Sequence, residues 1–315
     1  VSDSRVPGAP NVLMLVTDAY GGHGGIAQYN RDIVAALAAM PEVAEVVVVP
    51  RQQRFPEVDI PAKVRQVPEA LGGKVRYVRA ALLAARGRYD LLICGHVNLL
   101  PLATLLQIKR RVSVVLMVYG IDVWRRPTPM VNWWLRAVES VWSISAITRD
   151  RMNAWARLPT EKYRLLPNAI DLARYGHRQR RNDLIDRHGL QHSKVILTLA
   201  RLPGKERYKG VDEVLEAMPA LLQAEPNLKY LVAGDGDDRP RLAAKAAALG
   251  LGERVVFTGL IDEHEKADYY RLADAFVMPG RGEGFGFVFL EAMACGIPVV
   301  GSQLDGSREA LRDGL

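Results

Sequence analysis

Residues 279–302 read PGRGEGFGFVFLEAMACGIPVVGS. A short apolar run, AFVMP, enters a glycine-rich loop. A helix of about ten residues is expected from near Phe287, because the next stretch has helical spacing and Gly296-Ile297-Pro298 then breaks it. A second apolar run, IPVVGS, follows at 297–302. Strand, loop, helix and strand in that order make the repeating unit of a parallel sheet. Seven residues separate Glu283 from Glu291. On one helix they would stand about 80° apart, so Glu283 is placed in the loop and Glu291 in the early turns of the helix. Bare amides at a positive helix end and carboxylates that accept from hydroxyls suit a ligand carrying both phosphate and hydroxyl groups. Nucleotide sugars are such ligands. Glu291 can alternatively be read as a carboxylate that complements the helix dipole.

The same alternation runs through the whole chain. Strands are expected at NVLMLVT (11–17), EVVVV (45–49), DLLIC (90–94), SVVLMV (113–118) and WSISAIT (142–148). Helical spacing marks 27–40 and 74–87 between them. The pattern restarts after PNAID (167–171), with strands at 194–200, 229–234, 254–259, 275–280 and 297–302 and helices at 211–224 and 239–250. Runs that are apolar on both faces and joined by helices imply parallel sheets covered on both sides. Two such series imply an α/β chain of two doubly wound domains, 1–170 and 171–315, joined near the polar, aperiodic DLARYGHRQRRND.

Composition agrees with a soluble globular protein. Of 315 residues, 49% are hydrophobic and 24% charged. No segment reaches the about 18 apolar residues that a membrane span needs, and the polar, Pro-containing start lacks the apolar centre of a signal peptide. The two cysteines, Cys94 and Cys295, lie far apart and are read as buried free thiols, which implies a cytosolic setting. Charge is uneven. Residues 1–170 hold 22 Lys+Arg against 13 Asp+Glu, net +9, and residues 171–315 hold 20 against 22, net −2. Only the first half is therefore expected to meet something anionic.

A second glycine loop, TDAYGGHGGIAQYN (17–30), follows the first strand. Gly22-His23-Gly24-Gly25-Ile26-Ala27 fits a dinucleotide fingerprint in its proper place, strand before and helix after. That reading also needs a carboxylate about 20 positions on, closing the second strand. The second strand ends VVVVPRQQR, so an NAD-dependent oxidoreductase is the lesser alternative. What remains is a backbone that approaches a ligand closely and a helix start that offers N–H groups to an anion.

With these pieces in order, EGFGFVFLEAMACGIPVV resembles the E-x7-E region of glycosyltransferase family 4, retaining enzymes with the GT-B fold. GGHGGIAQ, PNAID, LARLPGKERYKG, VAGDGDDRPRL and VVFTGLI fall at the family's other landmarks, and the similarity spans nearly all of residues 11–312. The resemblance implies two Rossmann-like domains facing each other across a cleft. The first takes the acceptor and the second the nucleoside-diphosphate sugar, and the second lacks the C-terminal helices with which family members continue. Glu283 would meet the donor sugar's hydroxyls and Glu291 the ribose. The amides of Gly286, Phe287 and Val288 would face the diphosphate. Arg201 and Lys209 would neutralise charge growing on the leaving phosphate. Gly24 and Gly25 would approach phosphate and sugar, and Gly259 and Leu260 the base. Where the family often has His-Gly, this chain has Tyr119-Gly120-Ile121-Asp122. Tyr119 is then a positioning group or a core aromatic, since a phenol is no base near neutral pH, and Asp122 could orient the acceptor.

The implied activity is transfer of a hexose from a UDP- or GDP-linked sugar to a glycan or to a polyprenyl- or other lipid-linked acceptor, without metal or cofactor. A non-catalytic sugar-nucleotide-binding module is the other alternative. Asp235-Gly236-Asp237-Asp238 is read as a turn and helix cap, and His23, His96 and His264 lack metal-ligand spacing. The basic residues follow no nucleic-acid-binding motif. KVRYVRAALLAARGR (74–88) puts Val75, Val78, Leu82 and Leu83 on one face, with Lys109, Arg110, Arg111, Arg125 and Arg126 adding charge elsewhere. This basic first domain suits an anionic membrane surface at the cytosolic face or an acidic acceptor, or else contains an ordinary crossover helix with a solvated face.

Overall fold

A computed structural model describes residues 10–22, 24–56, 59–205 and 207–314. The chain divides into two compact units, Val1–Pro167 and Asn168–Leu315.

The first unit is built on seven strands: β1 (Asn11–Val16), β2 (Glu45–Pro50), β3 (Val64–Gln66), β4 (Leu91–Cys94), β5 (Ser113–Val118), β6 (Ser140–Ser143) and β7 (Tyr163–Leu165). They lie in the order β3-β2-β1-β4-β5-β6-β7, every pair parallel. Helices α1 (Gly25–Ala39), α2 (Lys74–Ala84), α3 (Leu100–Arg110), α4 (Val131–Trp134) and α5 (Ala146–Ala156) connect them. The central strands bury residues on both faces. Val12 to Val16 are at most 2% exposed, as expected where helices cover a parallel sheet on both sides. The run expected as one strand over 142–148 divides in two. Ser145 accepts from the Thr148 amide through its side chain and starts α5, so capping overrides the apolar pattern from Ala146 onward.

The second unit has five parallel strands: β8 (Lys194–Leu199), β9 (Leu228–Ala233), β10 (Val255–Gly259), β11 (Ala275–Val277) and β12 (Val299–Val300), in the order β10-β9-β8-β11-β12. Its helices are α6 (Asn182–Arg187), α7 (Val211–Ala224), α8 (Arg239–Ala248), α9 (Lys266–Leu272), α10 (Phe287–Ala294) and α11 (Ser307–Ala310). The stretch read as an aperiodic junction contains one helical turn at Leu172–Arg174 and then α6.

Each sheet reverses its strand order once, at β1/β4 and at β8/β11. Loops leaving the carboxyl ends of the strands flank a crevice at such a point. The glycine turn 18–24 follows β1. Arg201 and Lys209 follow β8, and Glu283 follows β11. Both cysteines are buried and unbridged. Among the described residues no helix is long and apolar enough to cross a membrane.

Phe289 on α10 is fully buried and packs edge-on against Phe276 of β11, with ring centroids 5.8 Å apart. Phe289→Ala is expected to cost about 3–5 kcal/mol through lost burial and an uncollapsed cavity. Denaturant unfolding that shows a loss under 1 kcal/mol would contradict this account of how α10 is seated.

Candidate active site

In the second unit two loops touch backbone to backbone. The Arg281 amide donates to the Tyr208 carbonyl at 2.8 Å. A Cβ on Gly282 would stand 2.5 Å from the Tyr208 ring, and one on Gly210 would stand 2.8 Å from Pro279. This approach sets Lys209 beside Glu283, with Nζ donating to Oε2 at 2.7 Å. The two side chains are 20% and 19% exposed. Burial works to lower the Lys209 pKa, yet the nearby Glu283 charge and its hydrogen bond prevail and raise it. Arg201, exposed just beyond β8, opposes that rise by like-charge repulsion. Two cations and one carboxylate therefore share the edge at the β8/β11 reversal.

The main chain of Glu283 is held from behind. Its amide donates to Asp305 Oδ2 at 2.8 Å, and its carbonyl accepts from the Gly306 amide at 2.8 Å. Asp305 is fully buried, which raises its pKa, and the Ser307 hydroxyl and amide answer its other oxygen. Gly286, at φ 96°, caps α10 without a side-chain bond, and no acidic residue lies in the first turn. Phe287 is buried and Val288 half-buried directly after it.

Glu291 is differently placed. It lies one turn into α10 and is 3% exposed. Its Oε1 accepts from the Tyr175 hydroxyl at 2.9 Å and from Lys266 Nζ at 2.7 Å, and its Oε2 accepts from the Tyr270 hydroxyl at 2.6 Å. Its negative charge is thus matched chiefly by Lys266 rather than by a helix terminus. Tyr175 and Lys266 also line a cavity of about 190 Å³ with Arg174, Glu263, His264 and Ala267. Gly259 ends β10, where its carbonyl accepts from the Gly234 amide at 2.9 Å, and Leu260 beyond it is 76% exposed. The Asp235–Asp238 cluster is occupied by protein partners. Asp235 accepts from the Gly236 amide, Asp237 from the Gly204 amide, and Asp238 from Arg241. It is a turn, as expected, but Asp238 makes no side-chain cap to α8.

In the first unit the glycine turn is pinned from α1. Arg31 Nη1 donates to the carbonyls of Ala19 and Gly22 at 2.9 and 2.7 Å. Asn30 Nδ2 donates to the Asp18 carbonyl at 2.7 Å, while its Oδ1 accepts from the Tyr119 hydroxyl at 2.7 Å. Gly24 caps α1 with no side-chain bond, and Gly25 is its exposed first residue. His23 lies outside the described residues. Tyr119 is 8% exposed and stacks edge-on against Tyr29. Burial raises its phenol well above the usual range, so it can donate to Asn30 but cannot take a proton. Asp122 Oδ1 accepts from the Tyr119 amide at 3.1 Å. Burial pushes the Asp122 carboxyl up to about 7 despite the surrounding amides, which pull it down.

Asp305, Tyr208, Tyr175, Lys266, Tyr270, Asn30 and Arg31 were not singled out by sequence reasoning. Tyr208, beside Lys209, and Asn30, at the end of the quoted glycine-loop stretch, sat inside recognised segments. The rest reach their partners across turns of helix or across long loops.

The raised Asp122 pKa makes stability pH-dependent. The protonated form is favoured in the fold, so its contribution is complete below the unfolded value of about 4 and is lost as pH rises through about 7. Asp122→Asn keeps an acceptor for the Tyr119 amide and abolishes the titration. Between pH 5 and pH 8 the variant's Tm is expected to gain on the parent's, by about 2–4 °C per kcal/mol. Parallel Tm-against-pH curves would remove the buried carboxyl from this account.

Residues 23–174 match the family described as Glycosyltransferase Family 4, and residues 181–315 match glycosyl transferases group 1. The GDP-mannose-dependent alpha-(1-6)-phosphatidylinositol monomannoside mannosyltransferase of Mycolicibacterium smegmatis is 30% identical over 323 aligned residues, covering 96% of this chain and 83% of that protein. The alpha-monoglucosyldiacylglycerol synthase of Streptococcus pneumoniae is 32% identical over 176 residues, covering 54% of this chain and 39% of its own length. Among solved structures, Anabaena Alr3699/HepE in complex with UDP and glucose matches with a TM-score of 0.71 at 20% identity, over 95% of this chain and 82% of that one. WaaG, a glycosyltransferase involved in lipopolysaccharide biosynthesis, matches with a TM-score of 0.72 at 18% identity, over 96% and 84%. Two parallel α/β units, the landmark loops at their strand ends and a relative matched along almost the whole chain make this protein a glycosyltransferase of family 4 with the GT-B fold.

Proposed function

We propose that the protein is a metal-independent, retaining hexosyltransferase that uses a nucleoside-diphosphate sugar and acts on a lipid-linked or glycan acceptor. The observation that carries this reading is the grouping of Lys209, Arg201 and Glu283 beside the uncapped start of α10 at the β8/β11 reversal. Departure of a nucleoside diphosphate leaves negative charge on phosphate. Two fixed cations and first-turn amides stabilise that charge without reorganising, which is the part a metal ion would otherwise play. Glu283, with one oxygen on Lys209, has lone pairs left for the hydroxyls of the sugar. Glu291 receives the ribose by sharing oxygens that Tyr175, Tyr270 and Lys266 already occupy, and the cavity beside Tyr175 and Lys266 supports access from that side. Gly259 and Leu260 sit near the base.

Tyr119 cannot serve as a base, and a front-face retaining path does not need one. The leaving phosphate accepts the proton of the acceptor hydroxyl as the new glycosidic bond forms on the face from which the diphosphate departs. Tyr119 and Asn30 then act on the glycine turn 18–24, holding Gly24 and Gly25 ready for an anion.

The Mycolicibacterium relative's name favours a GDP-linked hexose and a phospholipid-class acceptor, and UDP-linked sugars are the second candidates. The surface of α2 fits that acceptor class. Val75 is 83% exposed, Val78 and Leu83 are exposed beside it, and Lys74, Arg76 and Arg79 flank them, while Tyr77, Ala80 and Ala81 face the core. An outward stripe that is both apolar and basic suits the face of an anionic bilayer.

GDP-mannose at 100 times its Kd is expected to stabilise the fold by about 2.7 kcal/mol, visible as a Tm rise of several degrees that NAD does not produce. Release of GDP is expected to continue in excess EDTA, with the product anomer matching the donor's by NMR. An inverted product, or turnover abolished by EDTA and restored by a divalent metal, would overturn the mechanism. Lys209→Met is expected to lower kcat by about 10²–10³-fold while donor Kd moves only a few-fold. A Kd loss equal to the kcat loss would mean that Lys209 binds the ground state instead.

A further inference from the structure

The first unit carries a second concave, charged feature at the opposite end of its sheet. All seven strands are parallel, so segments that precede β5, β6 and β7 gather at the edge away from the glycine turn and Tyr119. A cavity of about 520 Å³ opens there, between the end of α3 and the connections into β5, β6 and β7. Arg111, Arg136 and Lys162 line it with a single carboxylate, Glu139. β5 is six residues long, about 20 Å at the rise of a strand, so this cavity is separate from the glycine turn, Tyr119 and Asp122 at the other end of the sheet.

Helix dipoles explain part of the charge. Lys109 and Arg110 occupy the last turn of α3, where cations are favoured. They do not explain why Arg136 and Lys162, from two other segments, converge on the same space. Among the described residues Arg111 and Arg136 have no ion-pair partner. Lys162 Nζ donates to the Val138 carbonyl at 2.6 Å, which fixes the ammonium at the wall with further N–H donors to spare. Three cations against one carboxylate leave a net charge of +2, and walls of one sign concentrate the field inside a cleft.

We propose that this cavity is a binding site for a doubly charged phosphate ester, distinct from the donor site. A phosphate dianion neutralises the excess charge, and guanidinium forks pair with its oxygens two at a time. The group could be carried by a soluble phosphate ester or by a phosphomonoester lipid headgroup, and Ile108, 62% exposed, also borders the cavity.

The test compares Arg111→Gln/Arg136→Gln with a control of equal charge change at exposed positions of the second unit, Arg178→Gln/Arg312→Gln, in two arms at about 50 mM salt, where screening is weak. One arm titrates glycerol 3-phosphate, a soluble phosphomonoester, by calorimetry. The other floats the protein on phosphatidylcholine vesicles with and without phosphatidic acid. A loss of at least tenfold in the first double variant alone, in the glycerol 3-phosphate arm, assigns the site to a free phosphate ester. The same loss confined to the vesicle arm assigns it to a headgroup. Equal binding by the two double variants in both arms, or no binding by the parent protein in either, overturns the proposal. The Tm response to GDP-mannose, read on the same proteins, is expected to be unchanged, which keeps a failure here distinct from a failure of the donor assignment.

Discussion

Close approach of two backbone segments, 207–210 and 279–282, is the constraint on which the candidate site depends. No side chain longer than hydrogen fits at Gly282 against the Tyr208 ring or at Gly210 against Pro279. Because the segments can touch, Lys209 and Glu283 meet at 2.7 Å in a partly buried setting, where a charge pair is stronger than in open water. Held a side chain's width apart, Lys209 would be an ordinary solvated loop lysine. The Asp305 clamp completes the arrangement, since a loop that had only glycines would gain approach and lose position.

With seven residues between them in sequence, the two glutamates have become chemically different groups. Glu283 keeps its backbone pinned and its carboxylate half committed, which leaves capacity for a ligand. Glu291 is buried under two tyrosines and a lysine, so its burial cost is met by an ion pair and charge-assisted hydrogen bonds. Any ligand hydroxyl that reaches Glu291 enters a preformed network and must fit its geometry. A carboxylate of that kind discriminates by shape more than by charge.

Much of this was legible from the residues, and the limits have physical causes. β1, β2, β4, β5 and the strands of the second unit announce themselves because both faces of a covered parallel strand must be apolar. β3 (VRQ) and β7 (YRL) form the edges of the sheet and carry Arg65 and Arg164 in mid-strand, so no apolar run marks them, whereas the equally short β11 and β12 sit inside longer apolar runs. WSISAIT misled because apolar spacing does not register that Ser145 can cap a helix. Glu283 and Lys209 were readable through their glycine neighbours, which are needed for contact. The partners of Glu291 were not, since Tyr175 lies 116 positions away and a tyrosine on a loop carries no local mark of what it will hold.

Basic side chains of the first unit stand at both ends of its sheet, Arg51 and Arg54 after β2 and Arg125 and Arg126 after β5 lying toward the glycine turn. Beside the glycine turn stand Asp18, Asp122 and Arg31, and Arg31 is bonded to the carbonyls of Ala19 and Gly22. Arg86, Arg88, Lys109, Arg110, Arg111, Arg136 and Lys162 all precede β4 to β7 and so belong to the far edge. These seven basic residues of the first half therefore lie away from the glycine turn. Charge kept at that edge against its own repulsion needs a counterpart of its own, and a phosphate dianion supplies one.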